Sequence, residues 1–194
     1  RSDKARELNR RLAVSMKGAI QEGDIEAVEP GAVGEGMSQM LAAVRTTAAR
    51  LFGHDVVFVK FKDGVKPLFN GAVSGAIPGT VFIRIDSARP HMAVMGHELM
   101  HQLRTLDPRL YRQLDNRLQA LYKDNASASY FDKIKEAYES KGLPVPKEWA
   151  EEMNADIVGD HFMEPQFWQD LAAKGPAGPF RMIANAVIRF LDRL

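Results

Sequence analysis

Apolar residues recur at three- and four-residue spacing through most of this chain and switch to dense β-branched runs over one short region. Residues 2–22 place Leu8, Leu12, Met16 and Ala19 near one helical face. Gly23-Asp24 and Pro30-Gly31 interrupt that pattern, and Gly31, Gly34 and Gly36 form a flexible link. The spacing of Met40, Leu41, Val44 and Ala48 predicts a second helix over 37–52, with Gly53 as its stop. Val56 to Phe61 and Val81 to Asp86 are rich in β-branched and aromatic residues and predict strands. Asp63-Gly64, Asn70-Gly71 and the stretch from Gly75 to Gly79 supply turns between them, so 56–86 is expected to form a small curved sheet.

Helical spacing then resumes. Residues 90–105 carry Met92, Met95, Leu99 and Leu103 in register, with Pro90 suited to the first turn. Asp107 and Pro108 have the chemistry of an N-cap and a first helical residue for 108–123. Further helices are expected over 129–140, 147–163, 166–173 and 180–193, separated by Gly142, Pro144, Pro146, Pro165 and the Gly175-to-Pro179 breaker. The order predicts an α+β fold, mostly helical, with the small sheet preceding the helix at 90–105. Residues 1–54 read as an N-terminal helical extension and 55–194 as the main domain.

Composition narrows the chemistry. The 194 residues are 45% hydrophobic and 26% charged, as in ordinary globular proteins. The formal charge is +1 and the basic residues are scattered, which argues against a nucleic-acid partner. No apolar run approaches the ~20 residues of a membrane span, so no membrane partner is expected. The absence of cysteine excludes disulfides, thiol catalysis and thiolate metal ligands, and it fits a reducing, cytoplasmic location. The start at Arg1-Ser2-Asp3-Lys4, without Met, reads as a piece of a longer polypeptide.

Within the helix at 90–105 lies His97-Glu98-Leu99-Met100-His101. Two imidazoles four residues apart share a helical face and can reach one metal ion, while Glu98 stands beside it, unspent as a ligand and available as a base. A catalytic zinc site takes a third protein ligand and keeps a position open for water. The best source is Glu151-Glu152-Met153-Asn154-Ala155-Asp156, where Glu152 and Asp156 share a face. One carboxylate there can bind the metal while another accepts a ring N–H from a ligating histidine. A purely solvated acidic face at a helix start is the competing explanation.

HELMH followed by a later Glu-x-x-x-Asp resembles the zincin metallopeptidases whose third ligand is a glutamate. The stretch from Glu152 through Ala155-Asp156 and Phe162-Met163 to Pro165 is similar to the second motif of ImmA/IrrE-type peptidases, although Gly159 and Asp160 replace small apolar residues of that pattern. Asn70-Gly71, Phe82-Ile83, Asp86, Pro90, Gly96 to Arg104, Asp107-Pro108 and Leu110-Tyr111, with Asp156, Gly159-Asp160 and Phe167-Trp168, more closely resemble the metallopeptidase domains of phage and mobile-element polyvalent proteins. The resemblance covers roughly 55–194.

It implies a zinc-dependent peptidase. His97, His101 and Glu152 would hold Zn²⁺, Glu98 would be the general base, and Asp156 would orient one of the ligating histidines. The strand at 81–86 would line the cleft and pair with extended substrate. Tyr130, His161 and His91 are candidates for stabilising the oxyanion. The implied partners are a protein or peptide substrate and the remainder of a larger parent polypeptide; whether it processes that parent itself stays open. Two alternatives stay open: a zinc hydrolase acting on a non-peptide amide or ester, and a non-catalytic zincin-like binding module. Met92, Met95 and Met100 read as packing, and Trp149, Phe162, Phe167 and Trp168 as core.

Overall fold

The computed structural model describes residues 3–16, 19–21, 23–121, 125–145 and 148–193. Eight α-helices and four strands are formed among them. They are α1 (Asp3–Ser15), β1 (Ile25–Ala27), α2 (Glu35–Phe52), β2 (Asp55–Phe61), β3 (Gly71–Val73), β4 (Thr80–Arg84), α3 (His91–Leu106), α4 (Pro108–Leu121), α5 (Asn125–Glu139), α6 (Trp149–Asp160), α7 (Pro165–Ala173) and α8 (Pro179–Leu191). The fold is α+β and mostly helical, with a small sheet ahead of α3. The chain divides into two compact units, 1–98 and 99–194, and the division falls inside α3. No helix among the described residues is long and apolar enough to cross a membrane.

In the first unit the sheet order is β1-β2-β4-β3. β2 and β4 are parallel, with Val57 opposite Phe82 and Phe58 opposite Ile83. β1 joins β2 and β3 joins β4, both antiparallel. Side chains alternate across a strand, so this register puts Val57, Val59, Phe61 and Phe82 on one face. That face packs on Leu12 and Ala13 of α1, with Ile20, Ile25 and Ile77. α1 and β1 thus belong to the sheet's own core. Val56, Phe58, Val81 and Ile83 point the other way and are also buried. Phe58 meets the Arg45 guanidinium of α2 at 5.4 Å and the His91 ring at 6.3 Å. Burial on both faces explains why β4 lacks a polar/apolar alternation. Each fully buried Phe contributes roughly 2–3 kcal/mol.

α1 ends at Ser15 instead of continuing toward residue 22. Its last rung, Met16 N–H to Leu12 O, is followed by Ala19 N–H turning back to Met16 O, which closes a turn. α2 stops where expected: Gly53 adopts φ 66° and its N–H reaches Ala48 and Ala49 carbonyls.

β4 is the strand that leads to the candidate chemistry, and its surroundings correct one expectation. It lies between β2 and β3, so both of its edges are occupied and it offers no free ladder to an extended peptide. The sheet edge on that side is β3. After β4, Ile85 N–H continues the ladder to Val59 O, and Ile85 O accepts from His91 Nε2 at 2.8 Å. This bond pins the start of α3 to the end of β4. Val94 N–H to Pro90 O then forms its first turn.

In the second unit, Asp107 caps α4 through Oδ1 to Leu110 N–H at 2.9 Å. Phe162, Phe167 and Trp168 are buried and meet edge to face, with Trp168 Nε1–H donating to Phe162 O. Arg117 of α4 is also buried and donates to the carbonyls of Leu171, Ala172 and Pro176, which end α7. Trp149, expected in the core, is half-buried.

Candidate metal centre

α3 carries His97, Glu98 and His101 within five residues, and its pattern of burial separates their roles. Val94, Met95, Glu98, Leu99, Met100 and Gln102 are buried, whereas His97 and His101 are half-buried. A helix turns 100° per residue, so the i,i+4 histidines share a flank while Glu98 projects from a neighbouring, inward-facing one. Met95 and Met100 are packing residues, as their spacing predicts.

One ligand atom from each of His97, His101 and Glu152 lies within 4.8 Å of the others, so these three residues could hold a metal ion. The pair defined most closely is His101 Nε2 and Glu152 Oε1, 3.4 Å apart. Two ligands at ~2.1 Å from a tetrahedral ion are separated by about 3.4 Å, so this spacing already matches a shared ion. The donor set is two nitrogens and one oxygen. Three protein ligands leave the fourth tetrahedral position for water.

The other nitrogen of His101 is also engaged. Nδ1 lies 2.9 Å from Glu151 Oε1, and only an Nδ1–H can donate to a carboxylate. That contact places a proton on Nδ1, which makes Nε2 the nitrogen that could bind a metal. The second Glu151 oxygen is paired with the Arg104 guanidinium. Arg104 is three residues after His101 on α3, so a single carboxylate reaches both. In the sequence Glu151 stands only as part of the acidic segment that supplies a ligand, and no role was expected of Arg104. Their signal was helical: a carboxylate that holds His101 from outside also meets the residue one turn further along.

Asp156 sits half-buried on α6, one turn after Glu152. Asn154, on the same helix, is 1% exposed and donates to Asp115 Oδ1 at 2.9 Å and to the Tyr111 hydroxyl. Burial raises the Tyr111 pKa above the usual phenol value; the Asn154 bond and Arg104 lower it, and Asp115 and Glu152 raise it. Of the candidate oxyanion donors, His91 is the strap to Ile85 described above. His161 is bonded through Nδ1 to Glu164 at 2.9 Å and stacks on Phe167. The Tyr130 side chain lies outside what the structure describes.

Glu98 is 7% exposed. On its inner side is β3: a Cβ built on Gly71 would lie 2.6 Å from Glu98 Cγ, 2.7 Å from Glu98 Oε1 and 2.6 Å from Val94 Cγ1. The strand backbone therefore passes directly against this carboxylate.

The chain matches no protein-family model, no curated protein and no solved structure.

Proposed function

We propose that this protein is a zinc-dependent metallopeptidase in which His97, His101 and Glu152 bind the ion and Glu98 is the general base. One observation carries the reading: three residues of the right donor types could hold a metal ion, and a buried carboxylate belongs to the same helix as two of them. Zinc suits a cysteine-free set of two imidazoles and one carboxylate with an open position, and when bound it supplies Lewis acidity that brings the pKa of a water near 7.

The remaining chemistry belongs to the chain. Glu98 takes a proton from the attacking water and returns one to the departing amine, so it ends the cycle unchanged. Glu151, backed by Arg104, holds His101 in the tautomer that presents Nε2. An extended peptide would lie along β3, the edge strand whose Gly71 adjoins Glu98, instead of along β4.

Glu98→Gln tests the reading. The variant is expected to bind zinc with the wild-type stoichiometry and to lose turnover of denatured protein and peptide libraries. Full activity in Glu98→Gln, or a wild type with no zinc-dependent turnover, would overturn it.

A further inference from the structure

Gly71 occupies an ordinary extended strand, and its backbone conformation does not call for glycine. Two other forces remain: space and neighbours. The space is filled by Glu98 and Val94, one turn apart on the face of α3 that packs against β3. A Cβ at 71 would stand 2.6 Å from Glu98 Cγ and Val94 Cγ1, well inside van der Waals contact. The atoms in the way belong to the first bonds of each side chain, which move only by changing rotamer. Glu98 Cγ sits at the fork that decides where the carboxylate points. Any residue other than glycine at this place in β3 therefore requires Glu98, Val94 or the strand itself to shift.

We infer that Gly71 is a positioning residue for Glu98: the bare backbone of β3 forms the wall that sets the direction of this carboxylate, and a single added methyl re-aims it. The inference rests on the proposed role of Glu98 as general base. It differs from the need for glycine in a turn, because the effect falls on the base and leaves the metal ligands in place. The three atoms nearest to a Cβ at 71 all belong to Glu98 and Val94, and none to a proposed ligand.

Gly71→Ala, Val94→Ala and the double variant, each compared with wild type and Glu98→Gln, test it. Gly71→Ala is expected to bind Co²⁺ within threefold of wild-type affinity and to lose about 10- to 100-fold in kcat with little change in KM, the scale of a base displaced by ~1 Å. The pH midpoint of the visible spectrum of the Co²⁺-loaded protein should move in the same direction as in Glu98→Gln. Removing the Val94 contact should not restore the rate, since Glu98 remains obstructed. Wild-type kcat and an unshifted spectrum in Gly71→Ala would overturn the inference while leaving Glu98 as the base. So would recovery of both in Gly71→Ala/Val94→Ala, which would trace the effect to packing. Should Gly71→Ala fail to fold, the double variant, with one contact relieved, decides between the same two outcomes. A wild type that shows no turnover, or an active Glu98→Gln, removes the general-base reading and this inference with it.

Discussion

Glu151 Oε1 accepts a hydrogen bond from Nδ1 of His101 at 2.9 Å, while Nε2 of the same ring faces Glu152 Oε1 at 3.4 Å. Two adjacent glutamates on α6 therefore take opposite sides of one imidazole. Their substitutions should separate cleanly. Glu152→Ala removes a ligand and is expected to abolish stoichiometric zinc binding. Glu151→Ala keeps all three ligands but frees the ring, and should weaken zinc by about 10- to 100-fold. Isothermal titration against a competing chelator measures both. Equal losses would mean that the two carboxylates share one role.

Arg104 acts one step further out. Its guanidinium pairs with Glu151, but it is 46% exposed, so solvent and salt screen the interaction. Arg104→Ala should weaken zinc by only a few fold, and by less at high salt. In a Glu151→Ala background it should add nothing, because its effect passes through that carboxylate. A double-mutant cycle in zinc affinity reads this directly. Additive losses would show that Arg104 reaches the metal by another route.

Arg117 is 4% exposed and donates to three carbonyls, at 2.8 Å to Leu171 O, 3.0 Å to Ala172 O and 2.8 Å to Pro176 O. Its guanidinium also lies 4.7 Å over the Phe180 ring. Arg117→Met retains most of the stem and removes the guanidinium, leaving Ala172 O with Arg181 and Leu171 O with Lys174 N–H. The expected cost is ~3 kcal/mol or more in chemical denaturation. Zinc affinity should stay within a few fold, since the cluster lies at the end of α7 and not on α3 or α6.

Tyr111 links stability to alkaline pH. Burial, its largest influence, raises its folded-state pKa above the ordinary 10.0. A raised pKa means that the folded protein holds the proton more tightly than the unfolded chain does. The resulting stability is present in full below pH ~10 and is lost as pH rises through the folded-state value. Tyr111→Phe should therefore flatten the decline in unfolding free energy above pH ~10. An unchanged slope would assign the alkaline transition to other groups.

Helices, and the placement of His97, Glu98, His101 and Glu152 on them, were legible because their signals are local. Apolar spacing marks the faces, Asp107-Pro108 and Gly53 mark ends, and i,i+4 residues meet on any helix. β1 and β3 were not legible as strands. Each has three residues, too few for a period of two to register, and each exists because a longer strand is available to pair with it. The position of β4 inside the sheet, which moves the open edge to β3, depends on pairing with β2 and β3, the former across residues 62–79 of intervening chain. Gly71 was legible as a turn signal beside Asn70 and as part of the resemblance, with no role attached. Its contact with Glu98 arises from the packing of β3 on α3, and no local pattern encodes that.

The strip contributed by Ile25–Ala27 has a practical meaning for anyone who would shorten this protein to its metal-binding part. It seals one side of β2, and α1 roofs the layer beneath with Leu12 and Ala13. A version beginning at residue 55 would bare a ready-made docking rail of unpaired amides together with Val59, Phe61 and Phe82. Such a product should self-associate more than the intact chain.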